Sequence, residues 1–167
     1  MQNRVFYKAL LFAFLSVPFT LRAQTRTTLN TIYWEIGGNA LFTSINYERQ
    51  LIKNRKFNGH IGTGIYGLTS PYLTIPFGVN YLFTLHNGHS YYEIGMGATY
   101  TKADVGLYAQ IEHRNPDDMN TDYWSYIPDI ALRAQTKRNL MYRFSFSPVI
   151  NQNGFLPFIG FSIGKSF

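Results

Sequence analysis

The stretch LTIPFGVNYLFTL (residues 73–85) alternates without a fault. Leu73, Ile75, Phe77, Val79, Tyr81, Phe83 and Leu85 share one parity; Thr74, Pro76, Gly78, Asn80, Leu82 and Thr84 share the other. A period of two puts each set on its own face of an extended strand. A strand this long with one wholly apolar face must lay that face against something apolar. What that something is decides the fold.

The pattern continues on both sides of this stretch. Ile32, Trp34 and Ile36 alternate with Tyr33, Glu35 and Gly37. After the GGN of residues 37–39 the apolar parity switches to Ile45, Tyr47 and Leu51, as a hairpin requires if both strands keep one apolar face. Phe57, Ile61 and Ile65 form a third strand, and the quoted stretch is the fourth. Tyr92, Ile94, Met96, Ala98 and Tyr100 form a fifth, and Trp124, Tyr126, Pro128, Ile130, Leu132 and Ala134 a sixth. Leu140, Tyr142, Phe144 and Phe146 lie on a seventh, and Phe155, Ile159, Phe161, Ile163 and Phe167 on an eighth. No segment from residue 30 onward reads as a helix. The expectation is an all-β, eight-stranded antiparallel up-and-down barrel.

Before it, Arg4 and Lys8 precede the apolar run ALLFAFLSVPF (residues 9–19), and TLRAQ supplies Ala23 as a small residue before a cut. This reads as a secretory signal peptide over 1–23, with the barrel over 24–167. Removing Arg4, Lys8 and Arg22 lowers the formal net charge from +6 to +3. No basic stripe for nucleic acid remains. The chain has no cysteine, which excludes disulfides and a lipid-modified cysteine.

The face opposite the apolar one is small and charged. It carries glycines, serines and threonines together with Glu35, Glu48, His60, Glu93, Asp129, Arg133 and Arg143. A soluble lipocalin-like barrel would turn its bulky apolar residues inward and leave these charges to water. A transmembrane barrel inverts this: aromatic residues near strand ends meet the membrane interfaces, while small and charged residues crowd a narrow lumen. Only a closed barrel spans lipid with every backbone group satisfied on strands. The connections 53–56, 86–90 and 136–139 would share one rim, and 37–40, 69–72, 102–122 and 151–154 the other. Short periplasmic turns and a longer outer loop are the expected asymmetry.

The segments NYERQL (46–51), TIPFGVNYLF (74–83), YYEIGMGATYT (91–101), MYRFSFSPVI (141–150) and PFIGFSIGKSF (157–167), with the RAQ that ends the signal, carry a resemblance. The chain resembles small eight-stranded outer-membrane β-barrel proteins of outer-membrane protein A or X architecture, in particular the outer membrane protein beta-barrel domains of Bacteroidetes-type bacteria. The resemblance covers nearly the whole mature chain and implies residence in the cell outer membrane among its lipids. It also implies that the barrel-assembly machinery recognises the last strand, here through Ile159, Phe161, Ile163 and Phe167. Lys165 departs from the Tyr often found two places before the end; its stem can snorkel to the interface.

The inward charges are expected to pair as a structural plug, since eight strands leave no open channel. The competing enzyme reading, a lipid-modifying activity, needs His60 beside Ser44, Ser145, Ser147 or Ser162. In the long loop, Asp118, Asn120 and Asp122 have the alternate spacing of a calcium loop, but Tyr123 stands where an EF-hand needs glycine and no glutamate completes the set. The expectation is no metal and no cofactor, with the loop near 102–122 as the surface for an external ligand.

Overall fold

The computed structural model describes residues 29–52, 56–66, 72–85, 89–101, 124–151 and 154–167. The expected signal peptide and the loop of residues 102–122 lie outside these. Ten strand segments follow one another: β1 (Asn30–Gly37), β2 (Thr43–Gln50), β3 (Phe57–Tyr66), β4 (Tyr72–Thr84), β5 (Ser90–Tyr100), β6 (Trp124–Gln135), β7 (Leu140–Phe146), β8 (Val149–Asn151), β9 (Gly154–Leu156) and β10 (Ile159–Ser166). All pairings are antiparallel. β5 meets β6 from Ser90↔Ala134 to Tyr100↔Trp124, and β1 meets β10 from Thr31↔Ser166 to Gly37↔Gly160, so the ring is closed.

The result is an eight-stranded closed antiparallel barrel, because β7 with β8, and β9 with β10, are two strands each broken once. The expected seventh and eighth strands are therefore present but interrupted. The breaks fall at Ser147–Pro148 and Pro157–Phe158, where proline supplies no N–H for a ladder. The Ser147 N–H donates to the Phe158 carbonyl at 2.8 Å and ties the two breaks together. No helix among the described residues is long and apolar enough to cross a membrane, which says nothing of strands.

The barrel has two unlike ends. At the turn end, Leu51 donates to Phe57, Leu85 to Ser90, Ser166 to Asn139, and Phe167 to Asn30. The loop end carries the β1–β2 connection, the finish of β5, the start of β6 and the facing ends of β8 and β9.

Orientation is decided by three phenylalanines. Phe77, Phe144 and Phe161 are 39%, 51% and 47% exposed, whereas a soluble barrel would point them at one another across the axis. Conversely, Glu35, Glu48, Glu93, Asp129, Arg133 and Arg143 are all buried inside. The apolar face of the alternation is outermost. Ala134 is an exception: expected outward beside Leu132, it is buried, its short methyl not reaching past its cross-strand partner Tyr142.

Trp124 anchors an aromatic group on the outside at the loop end, edge-on to Tyr100 (5.1 Å between ring centroids) and to Phe77 (6.1 Å). At the turn end Tyr81 and Phe83 lie 4.8 Å apart, and the Tyr47 hydroxyl donates to Asn30 Oδ1 at 2.7 Å. Apolar rings with a polar edge at both ends of an apolar band are the distribution that membrane interfaces favour.

Candidate functional site

The interior of the barrel brings the charged positions of five strands to one place. Arg133 and Arg143 are direct cross-strand partners on β6 and β7. Two like charges so placed repel. Glu93, from β5, resolves the conflict by standing between them: Arg143 Nε lies 3.0 Å from its Oε1, and Arg133 Nε lies 3.6 Å from its Oε2. Neither contact is a well-directed hydrogen bond, so Glu93 is held by charge rather than by geometry.

Each arginine then reaches away from the other. Arg143 donates through Nη1 to Glu35 Oε1 at 2.8 Å and through Nη2 to Asp129. Arg133 donates through Nη2 to Glu48 Oε1 at 2.8 Å. Polar neighbours occupy the second oxygens of Glu48 and Asp129 and add a second donor to Glu35 Oε1, while Glu35 Oε2 accepts no hydrogen bond. Asn80 donates to Glu48 Oε2 (2.9 Å) and is itself held by Asn58 (2.9 Å), while the Ser147 hydroxyl donates to Asp129 Oδ1 (2.7 Å) and Ser162 to Glu35 Oε1 (3.3 Å). A fork-shaped guanidinium suits this bridging between several carboxylates better than an ammonium would.

His60 belongs to the same interior but not to an ion pair in this network. It faces Glu48 across the β2–β3 ladder, yet its Nε2 accepts from the Asn39 side-chain amide at 3.0 Å. The four serines that an esterase-like reading would pair with it are engaged elsewhere. Ser44 accepts from Asn46 (2.7 Å), Ser147 donates to Asp129 and lies 3.1 Å from Ser145, and Ser162 donates to Glu35. This arrangement fixes charges; it does not activate a nucleophile. Among the described residues no group of three or more His, Asp or Glu side chains is disposed to hold a metal ion.

Asn39 introduces a feature absent from the sequence reading. Residues 37–39 were expected to be a plain turn. Instead Gly38–Ala40 form a 3₁₀ turn whose residues are all buried, and Leu41 follows, also buried, with φ +72°. The segment folds down into the loop end of the bore. Thr99 donates to the Asn39 carbonyl from β5, and Asn39 holds His60 on β3. Two glycines make the descent possible. Gly38 has φ +63°, and a Cβ there would stand 2.6 Å from the Glu35 carboxylate. A Cβ on Gly160 would stand 2.8 Å from the Gly38 Cα.

Above this turn lies an apolar layer: Leu41, Tyr66, Ile127, Val149 and Leu156, with Phe158 packed against them. The sixth strand's inward set reads Ser125, Ile127, Asp129, Ala131 and Arg133, so Ile127 is the single bulky apolar residue on a face otherwise small or charged. That mismatch in phase was the available signal.

Ile159, Phe161 and Ile163 face outward on β10, opposite Phe146, Phe144 and Tyr142, and Phe167 is exposed just beyond the strand. Asp118, Asn120 and Asp122 lie outside the described residues.

The closed eight-stranded antiparallel barrel is a fold that this chain shares with solved outer-membrane barrels. The outer membrane protein Ail of Yersinia pestis, determined in a phospholipid bilayer nanodisc, superposes with a TM-score of 0.53 at 10% identity, covering 84% of this chain and 99% of that one. The N-terminal β-barrel domain of OprF from Pseudomonas aeruginosa gives a TM-score of 0.59 at 11% identity, covering 86% of this chain and 100% of that one. At such low identity the likeness is one of fold. No protein-family model matches the chain, and no curated protein sequence is significantly similar to it.

Proposed function

We propose that this chain is an integral outer-membrane protein, of the Bacteroidetes-type barrel group, whose stoppered bore carries no open pore and whose role is recognition rather than catalysis. The observation that carries the reading is the inverted alternation: an apolar, aromatic-edged exterior around an interior of buried ion pairs. Such an exterior is stable only where hydrocarbon replaces water. The fold it shares with Ail, an outer membrane protein by its own description, supports the same location.

The bore is filled twice over, by the Arg133–Arg143 network and by the 38–41 segment with its apolar layer, which supports a plug rather than a channel. The serines' engagement with Asn46, Asp129 and Glu35 supports a non-enzymatic role. External recognition falls to residues 102–122, and the outward Ile159, Phe161, Ile163 and Phe167 are the handle for the assembly machinery. The test is reconstitution. The protein should show heat-modifiable gel mobility in detergent, no steady conductance in planar bilayers, and cleavage within 102–122 by protease added to whole cells. A water-soluble monomer, or an ohmic pore, overturns the reading.

A further inference from the structure

Among the described residues, charge outside the bore stands on one side only. Every described carboxylate, Glu35, Glu48, Glu93 and Asp129, is buried inside. The described lysines and arginines other than Arg133 and Arg143 are Arg49, Lys56, Lys137, Arg138 and Lys165. All five stand at the turn end. Arg49 pairs with Asn30 at the start of β1, Lys165 with Ile32 near the finish of β10, Lys137 and Arg138 form the β6–β7 turn, and the Lys56 carbonyl receives the Leu82 N–H. No described carboxylate is exposed at that rim to neutralise them. By sequence, the remaining carboxylates of the mature chain, Asp104, Glu112, Asp117, Asp118 and Asp122, belong to the connection between the opposite ends of β5 and β6, where they outnumber the cations Lys102 and Arg114.

The depth of these cations is as informative as their sign. Arg49 continues the outward phase of Ile45 and Tyr47, and Lys165 continues that of Phe161 and Ile163. Both therefore leave the barrel wall sideways, at the level of the turn-end aromatic group, and not into the solvent beyond the rim. Lys56 lies over the Tyr91 ring, 5.4 Å from its centroid, on the inward phase of β5 at the mouth of the bore, and so stands apart from the outward pair Arg49 and Lys165. An aromatic belt marks where headgroups begin.

Resting on the membrane-spanning reading, we infer that the turn-end rim is a phosphate-binding collar for the bilayer's own anionic phospholipids, with Arg49, Lys137, Arg138 and Lys165 as its contacts. Cations near a lipid surface attract anionic headgroups, and the effect is additive for several held at one depth. The collar recruits acidic lipid to one leaflet and sets how deep the barrel sits. A soluble acidic partner fits less well, because the side chains of Arg49 and Lys165 project along the membrane plane.

The experiment uses the purified protein refolded into phosphatidylcholine vesicles with trace spin-labelled lipid, either phosphatidylcholine or phosphatidylglycerol. Electron spin resonance reads the fraction of each label immobilised at the barrel wall. The anionic label should be favoured by about threefold or more at low salt. That preference should fall towards parity in about 0.5 M sodium chloride, where charges are screened within a few ångströms. The variant carrying Arg49→Gln, Lys137→Gln, Arg138→Gln and Lys165→Gln should lose the preference while keeping heat-modifiable mobility. Equal immobilisation of the two labels by the inserted wild-type barrel overturns the collar and leaves the membrane reading standing. So does a preference insensitive to salt, which requires no folded variant. A protein that never enters the vesicles overturns both.

Discussion

The middle of the bore and its loop end are filled by opposite chemistry. The middle is ionic: four carboxylates from β1, β2, β5 and β6 share two guanidiniums from β6 and β7. The loop end is apolar: Leu41, Tyr66, Ile127, Val149 and Leu156 meet above an inward-folded turn. The ionic layer is specific, since each arginine fits only where its carboxylates stand, but removing one partner leaves the others charged and buried. The apolar layer tolerates change in shape and loses stability only in proportion to the volume removed. A narrow barrel thus carries an ionic layer that links particular strands and an apolar layer packed at its loop end.

The sharpest way to break this contrast is Arg143→Leu. It strands Glu35, Asp129 and part of Glu93 without their cation and should cost about 3–5 kcal/mol, read as a lower urea midpoint for unfolding from detergent by Trp fluorescence. An unchanged midpoint would remove the ionic layer from the account of stability. Ile127→Ala addresses the other layer and should cost roughly 2–4 kcal/mol by leaving a cavity. Its faster amide exchange should be confined to the loop-end residues, and exchange spreading through β6 and β7 would show that the two layers are not separate.

Smaller changes sharpen the boundary between the layers. Thr99→Val removes the hydroxyl that holds the Asn39 carbonyl and should cost about 1 kcal/mol; with the turn loosened, a bilayer recording should show brief openings that the parent lacks. Phe144→Leu, on the outside, should shift the unfolding midpoint by the equivalent of about 0.5 kcal/mol or less. A large loss there would mean that this ring packs against protein rather than lipid.

The sequence carried the barrel because its signal is simple. Strict alternation over Leu73–Leu85, a parity switch at Gly37–Asn39 and a charged inner phase determine strand count and which face is which. The inward set of charges was legible for the same reason. Which arginine serves which carboxylate was not, since it depends on the stagger of neighbouring strands around the ring, and no residue pair announces a stagger. His60 illustrates the point: its cross-strand neighbour is Glu48, but its hydrogen bond goes to Asn39 from the segment between β1 and β2. The inward fold of residues 38–41 was missed because a Gly-Gly-Asn stretch satisfies an ordinary hairpin equally well. The breaks at Pro148 and Pro157 were visible as prolines, but alternation continues across them and hides the interruption.

The sharing of Glu93 between arginines of β6 and β7, and of those arginines with β1 and β2, bears on how the molecule comes into being. The bond from Arg133 to Glu48 spans 85 residues and that from Arg143 to Glu35 spans 108. Both link the β6–β7 side of the ring to β1 and β2, so both require the sheet to have closed. A partial sheet of β5, β6 and β7 holds only the local pairs, Arg143 with Asp129 and Glu93 with the two arginines. Ring closure is therefore the step that completes the network, by giving Arg133 and Arg143 their partners on β2 and β1.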